Sequence, residues 1–182
     1  MTATPIQFRQ ATEGDAVTIA ALSVQVFLQT YATEGVRPDL AREAFHTYSQ
    51  AAFAQRLCDP SRKFVLAESG DGLLGFAELN VSNDEAPCGN VRGAELVRLY
   101  VQPRFQRQGL GRGLIESAHR IAASCSADAL WLTAWEGNEA ALAFYRRLGY
   151  RDMGATTYTI EGRAYPNRVL AISTRPHEHL DR

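Results

Sequence analysis

The chain has 182 residues, a formal net charge of −1 and 46% hydrophobic residues. A chain of this length folds as one domain and can bury a core without a structural metal or disulfide bonds. The three cysteines include no CxxC pair, which disfavours a zinc site and a disulfide framework. The balanced charge excludes an overall basic surface for nucleic acid, and no stretch is apolar enough to cross a membrane. The odd cysteine count and the absence of a secretion signal predict a cytoplasmic protein. From the cysteine spacing, the balanced charge and the hydropathy, we expect no metal, nucleic-acid or membrane partner.

The first half of the chain reads as a strand, two helices and a pair of strands. Alternating residues at 6–9 predict the first strand, and apolar residues at helical spacing predict helices over 17–31 and 40–57. Strands at 64–67 and 74–81 follow, joined by a turn at Asp71-Gly72. The polar segment 82–93 contains proline and glycine and predicts a loop.

Strands and helices alternate through the second half. We predict strands over 95–101, 129–134, 151–160 and 168–172, and helices over 108–124 and 138–148, the latter closed by a glycine. This order predicts one α+β domain over residues 1–174, with a central sheet of about seven strands and about four helices on its faces. A polar tail covers residues 175–182.

The segment that joins the strand at 95–101 to the next helix is the most informative. Gly109 and Gly111 let the backbone approach a ligand closely, and the first N–H groups of the helix lack internal partners. Between residues 96 and 115 there are four arginines, at 98, 104, 107 and 112, and no acid. These features predict a phosphate or pyrophosphate site, and the alternative is a glycine-rich helix start that only packs tightly. The G-x-G-x-G spacing fits neither the dinucleotide fingerprint nor an ATP-binding P-loop.

This segment resembles the signature Q/R-x-x-G-x-G/A of the GNAT family of N-acetyltransferases, with Gln106, Gly109 and Gly111 at its fixed positions. A second segment, LWLTAWEGNEAALAFYRRLGY at 130–150, resembles the second coenzyme motif of that family. With the order of elements, the resemblance covers about residues 5–173 and implies a mixed central sheet.

Within the family the chain is most similar to the spermidine/spermine N-acetyltransferase-like branch, although residues 161–170 depart from it. The similarity rests on Phe27, Tyr31, Trp131, Trp135, Glu136, Phe144 and Tyr145.

The resemblance implies acetyl-CoA as co-substrate, held by its pyrophosphate at residues 106–112 and by its pantetheine arm along the edge of strand 99–101. Pairing of a peptide-like arm with an open strand edge is physically reasonable. The implied coenzyme-binding residues are Leu99, Tyr100, Val101, Gln106, Arg107, Gln108, Gly109, Leu110, Gly111, Arg112 and Asn138.

Acetylation of an amine needs a base for the amine proton, a donor for the thioester oxygen and an acid for the leaving thiolate. By resemblance, Tyr145 is the candidate acid and Glu95, fourteen residues before Gly109, the candidate base. The alternatives are a core tyrosine and a surface glutamate paired with an arginine. Glu78, or a water chain, is the second candidate for the base. Phe27 and Tyr31 are candidates for the acceptor pocket, and their spacing fits helix–sheet packing equally well.

These residues predict acetyl transfer to a primary amine of a small molecule, such as a polyamine, by direct attack, because neither coenzyme segment contains a cysteine. The alternatives are a protein or peptide N-acetyltransferase and a non-catalytic sensor of acetyl-CoA. A loop at 82–93 that folds over the sheet would block the groove that an extended peptide needs. By analogy with many members of the family, we expect a homodimer.

Overall fold

A computed structural model describes residues 5–70 and 72–175, and of residue 83 only the backbone. These residues form a seven-stranded sheet in the order β1-β2-β3-β4-β5-β7-β6. Every neighbouring pair is antiparallel except β4 and β5, so the sheet is mixed. The strands are β1 (Ile6–Gln10), β2 (Arg62–Ser69), β3 (Gly72–Glu85), β4 (Arg92–Val101), β5 (Ala129–Trp135), β6 (Arg151–Ile160) and β7 (Arg163–Ser173).

Helices cover both faces of this sheet. In the described part of the chain the α-helices are α1 (Ala16–Tyr31), α2 (Pro38–Thr47), α3 (Gln50–Cys58), α4 (Leu110–Ser124) and α5 (Glu139–Arg147). Short 3-10 helices occupy Glu13–Asp15 and Pro103–Phe105. No helix of the described residues is both long and apolar enough to span a bilayer.

Two hydrophobic layers join the helices to the sheet. One contains Leu114 of α4, Leu142 of α5 and inward residues of β2 to β5 such as Leu79 and Leu132. The other packs α1, α2 and α3 against the opposite face, around fully buried side chains such as Phe53. Burial of these side chains supplies the main favourable term in folding.

The α+β class, the mixed sheet and its seven strands are confirmed. The predicted helix at 40–57 is two helices, α2 and α3, so five α-helices form instead of four. The break falls at Ser49, because its hydroxyl caps the next helix by accepting from the Ala52 N–H over 3.2 Å.

The predicted loop at 82–93 is wrong at both ends. β3 continues to Glu85 and β4 starts at Arg92, because these two residues pair across the hairpin, as do Asp84 and Gly93. Only residues 86–91 remain as a loop. The turn predicted at residues 71–72 and the tail predicted at 175–182 lie mostly outside the described residues.

Candidate active site

The parallel strands β4 and β5 separate along their length. They pair only at Ala94 with Leu130 and at Glu95 with Trp131. Beyond that point β4 stays paired with β3, and β5 stays paired with β7. The edges of β4 and β5 that face each other form no further backbone pairs. Buried backbone groups need hydrogen-bond partners, so this opening between residues 96–101 and 132–135 is suited to an extended, amide-containing ligand.

The segment at the far end of β4 presents a row of backbone donors. Gly109 caps α4 in the left-handed conformation, with a φ of 85°, and the first helical bond runs from the Gly113 N–H to the Gly109 carbonyl over 3.0 Å. Within the described residues, no amide from residue 107 to 112 donates to the protein. Unpaired amides at a helix N-terminus bind anions, which is what a pyrophosphate requires.

Side chains around this segment fit the same ligand. Arg104, Arg107 and Arg112 are exposed and form no ion pair with any described residue. The Gln106 and Gln108 side chains donate to carbonyl groups of Val101 and Arg104, each over 3.2 Å, and so fix the course of the loop. The residues predicted to hold the pyrophosphate therefore lie together, with free donors and free positive charge.

The helix α5 borders the opening on the same face of the sheet as α4. Its N-cap is Asn138, whose side-chain oxygen accepts from the Ala141 N–H over 3.1 Å. Phe144 packs against the start of α4, where a Cβ on Gly111 would stand 3.2 Å from its ring. Gly111 therefore lets the two coenzyme segments approach each other.

Tyr145 lies in the core layer that also contains Val101 of β4 and Ala134 of β5. Its side chain is 8% exposed, and burial raises the pKa of its phenol, so the hydroxyl stays protonated at neutral pH. The hydroxyl bonds to no described residue. A protonated, unbonded hydroxyl of this kind can act as a proton donor.

Glu95 lies at the closed end of the opening, on the opposite face of the sheet from α4. Its neighbours Ala94 and Leu96 point into the α4 layer, so strand alternation places the carboxylate on the α1 face. Burial raises the pKa of Glu95 above its ordinary value, against the smaller lowering effect of Arg62 and Arg98. A raised pKa brings a carboxylate closer to the range in which it works as a general base at neutral pH.

Glu78, on the neighbouring strand, is fully buried and surrounded by arginines. Its oxygens lie 2.5 Å from Arg98, 3.5 Å from Arg62 and 3.8 Å from Arg56. A carboxylate that contacts three guanidinium groups serves as their shared counter-ion. Glu78 therefore stands in a different environment from Glu95, although both face α1.

The predicted pocket residues Phe27 and Tyr31 belong to an aromatic cluster on the α1 face. Phe27 is 1% exposed and packs as a core residue. Tyr31 is half-buried and stacks on Trp135, at the end of β5, with 5.5 Å between ring centroids. The cluster therefore reaches the open ends of the two strands.

The sequence analysis does not identify the arginine cluster. Arg98 contributes to the positive charge of the segment 96–115 in sequence, but its side chain points to the other face of the sheet and binds Glu78. Arg98 and Glu78 are paired neighbours on β4 and β3. Strand alternation from Ala77 and Leu79 could have placed Glu78 on the face opposite α4, but not beside Arg98. No group of three or more metal-ligating side chains occurs among the described residues.

Comparisons with known proteins agree with this geometry. Residues 29–150 match the model of the acetyltransferase (GNAT) family. An N-acetyltransferase of Lactobacillus delbrueckii subsp. lactis is 27% identical over 146 residues, 80% of this chain and 84% of that protein. The ribosomal protein bS18-alanine N-acetyltransferase of Escherichia coli K12 is 32% identical over 119 residues, 65% of this chain and 71% of that protein.

Solved structures share the fold at lower sequence identity. The PaiA N-acetyltransferase of Thermoplasma acidophilum, in complex with coenzyme A, has a TM-score of 0.70 at 20% identity, over 90% of this chain and 98% of that one. The spermidine/spermine N-acetyltransferase SpeG of Vibrio cholerae has a TM-score of 0.64 at 18% identity, over 93% and 95%. The polyamine branch is thus one of several neighbours. The chain belongs to the GNAT family and is an N-acetyltransferase with acetyl-CoA as its co-substrate.

Proposed function

We propose that this enzyme acetylates a primary amine of a small molecule by direct attack, with Glu95 as the base and Tyr145 as the acid. The observation that carries the proposal is that these two side chains flank one opening from opposite faces of the sheet. Glu95 stands on the α1 face, and Tyr145 lies in the α4 layer on the other. Addition of the amine to the thioester gives a tetrahedral intermediate, in which the base must reach the nitrogen and the acid must reach the sulfur, and side chains on two faces of the opening can do so separately.

Glu95 takes the proton that the amine must lose before or during attack. It is half-buried beside Trp131, and its raised pKa makes the carboxylate a stronger base than an exposed glutamate. Tyr145 donates a proton to the departing sulfur, since burial keeps its hydroxyl protonated. Unpaired N–H groups of residues 96–101 supply donors for the carbonyl oxygen.

The residues that hold the co-substrate are those predicted from the sequence. Amides of residues 107–112 and the arginines at 104, 107 and 112 bind the phosphates, while the edges of the opening pair with the pantetheine arm. When bound there, acetyl-CoA supplies the activated acetyl group.

Contacts on the acceptor side support a small molecule over an extended peptide. The β6–β7 hairpin is bonded to α2 by Arg42 and Glu161, 2.6 Å apart, and by the Tyr158 hydroxyl, 3.1 Å from Glu43. The loop at 86–91 folds over the sheet beside Trp131, held in part by a bond from Asn90 to the Met153 carbonyl. Both features narrow the groove that an extended peptide would need.

A protein acceptor is the second candidate. It is favoured by the 32% identity with the E. coli enzyme that is named a ribosomal protein bS18-alanine N-acetyltransferase. A polyamine acceptor draws its support from the structural likeness to SpeG. The positive charge around Glu78 disfavours polyamines, because a polycation would approach three arginines.

Thiol release from acetyl-CoA tests the proposal over a panel of amines, amino acids, polyamines and short peptides. We expect release with small amines, at a rate that Tyr145→Phe lowers about 100-fold. Release only with peptides that start with alanine would support the second candidate. Binding of acetyl-CoA without release on any acceptor would support the sensor alternative and refute catalysis.

A further inference from the structure

The arginine cluster leaves positive charge without a partner beside the proposed base. Arg56, Arg62 and Arg98 have side chains only 19%, 26% and 14% exposed, and they share the single carboxylate of Glu78. Glu95 is the next acid on this face. Asp84, farther along β3, is exposed and bonded to Asn80 over 3.0 Å, and Asp59, which interacts with Arg62, is also exposed. Three guanidinium groups thus face two half-buried or buried carboxylates, a surplus that is costly in a partly buried place.

Hydrogen-bond donors in the cluster are also left over. Arg98 uses Nη1 for Glu78, while its Nε is fully buried with no partner, as is Nη1 of Arg56. Nη2 of Arg98 has no partner among the described residues and is not fully buried, and the same holds for Nη2 of Arg62. Unmade bonds of buried charged groups are rare in folded proteins, so Nε of Arg98 and Nη1 of Arg56 mark a cluster with incomplete hydrogen bonding, while Nη2 of Arg98 and Nη2 of Arg62 are the donors that a ligand can reach.

The cluster is placed where an acceptor must bind. Arg98 lies three residues after Glu95 on the same face of β4, in the arm that has separated from β5. Between them, Val97 is an extra residue in the ladder, because Leu96 and Arg98 pair with the consecutive residues Leu79 and Glu78. The guanidinium of Arg98 stands over the Tyr48 ring at 5.3 Å, which fixes its orientation beside the aromatic cluster.

We propose that Arg98 and Arg62 bind an anionic group of the acceptor, so that the substrate is a small amine that also carries a carboxylate or phosphate. This inference rests on the proposed function and names the substrate class for the same site. The fork of a guanidinium suits both oxyanions, and binding of such a substrate adds negative charge beside the buried arginines. The amine then lies toward Glu95 and the anion toward Arg98.

Matched acceptor pairs test the carboxylate. We would compare kcat/KM for alanine, methionine and phenylalanine with their amides and with ethylamine, 3-(methylthio)propylamine and phenethylamine. For at least one of the three amino acids, kcat/KM should exceed that of its amide and that of its matching amine by about 10- to 100-fold, the size expected for charge-assisted hydrogen bonds. The comparison with the amides is a stringent one. The amino group of an amide has a lower pKa than that of the amino acid, so at the same pH more of the amide is the reactive neutral amine.

A second arm tests the phosphate, with O-phosphoethanolamine against ethanolamine. A preference in either arm supports the inference and identifies the anion. Equal or better use of the uncharged partners in both arms, or spermidine as the best substrate, overturns the inference and leaves the proposed function standing. No acetylation of any amine overturns both.

Two variants connect the preference to the cluster. Arg98→Lys keeps the charge and loses the fork, and Arg62→Gln removes a more exposed charge at the start of β2. Each should raise KM for the anionic acceptor about tenfold and leave KM for its uncharged partner unchanged. Equal effects on both partners would contradict the assignment. Melting temperatures verify folding, and Arg62→Gln keeps the test decisive if Arg98→Lys unfolds.

Discussion

Gly93 of β4 packs directly against the backbone of Ala129 at the start of β5. A Cβ on Gly93 would lie 2.2 Å from the carbonyl oxygen of Ala129, a distance that no side chain can occupy. The Gly93 carbonyl accepts from the indole N–H of Trp131 over 3.1 Å, which holds the strands together at this end. Two residues later the ladder ends and the strands separate. The glycine therefore allows the close strand contact that lies just before the closed end of the opening at Glu95.

Gly93→Ala should force β4 and β5 apart at this contact. Overpacking at a close backbone contact lowers the free energy of unfolding by about 1–3 kcal/mol. The melting temperature should fall by about 2–4 °C for each kcal/mol, and KM for acetyl-CoA should rise because the facing edges move. Gly14→Ala is the matched control, since its Cβ would meet only Thr12 Oγ1 at 3.7 Å, an ordinary contact. An unchanged melting temperature in Gly93→Ala would contradict the close approach.

Gly109→Ala tests the phosphate segment. A left-handed φ of 85° costs an alanine about 1–2 kcal/mol, and its methyl group would project into the open space beside the free amides. We expect KM for acetyl-CoA to rise about tenfold. Gly35→Ala has a comparable positive φ of 112° and open surroundings, so it should lose similar stability and keep its KM. Equal KM values for the two variants would argue against phosphate binding at Gly109.

The coenzyme half of the site could be predicted because its determinants are local. Gly109, Gly111 and the following helix are consecutive in sequence, so spacing alone indicates free amides at a helix start. The acceptor half depends on contacts between distant segments. Arg56 comes from α3, Glu78 from β3 and Arg98 from β4, and no sequence spacing brings these three together.

Two local errors had different causes. The segment 82–93 is polar and contains proline, and only the pairing of Glu85 with Arg92 extends the strands into it. Tertiary pairing overrides weak strand propensity at such positions. The helix break at Ser49 had a local signal, because serine favours the N-cap, but the apolar pattern on both sides concealed it.

Tyr145→Phe should separate catalysis from folding. The lost hydroxyl makes no bond within the described residues, so the melting temperature should stay nearly the same, while kcat falls about 100-fold at an unchanged KM for acetyl-CoA. Tyr150→Phe is the control, because its hydroxyl lies 3.2 Å from His119 Nε2 and its loss should cost about 1 kcal/mol without lowering kcat. A fully active Tyr145→Phe enzyme would remove this residue from the mechanism.

The pH profile tests Glu95. The base acts when ionised, and burial raises its pKa, so kcat/KM should fall as pH drops through a break above the ordinary glutamate value. Glu95→Gln should lower the rate and remove this break, leaving the break of the amine itself. The break at higher pH belongs to the amine of the acceptor. An acceptor whose amine has a lower pKa should shift only this break, to lower pH. A break that persists in Glu95→Gln would exclude Glu95 as the base.

Glu95→Gln should also fold well, because folding raises the pKa of the Glu95 carboxyl group. A carboxylate whose pKa is raised on folding opposes folding once it ionises, so its contribution is unfavourable at neutral pH. Replacing it with a neutral amide should leave the melting temperature equal or higher at pH 7. A large drop would mean that Glu95 forms a stabilising ion pair.

Glu78→Gln should give the opposite pattern, which separates the two glutamates that face α1. Among the described residues, Glu78 is the one carboxylate that Arg56, Arg62 and Arg98 share, and its removal leaves buried positive charge uncompensated, at a cost of about 3–5 kcal/mol. The melting temperature should fall strongly, whereas that of Glu34→Gln, an exposed control, should not change. A Glu78→Gln enzyme that melts normally but has lost its activity would instead make Glu78 the base. Because the guanidinium surplus grows in this variant, any folded fraction should bind anionic acceptors at least as tightly as the parent enzyme does.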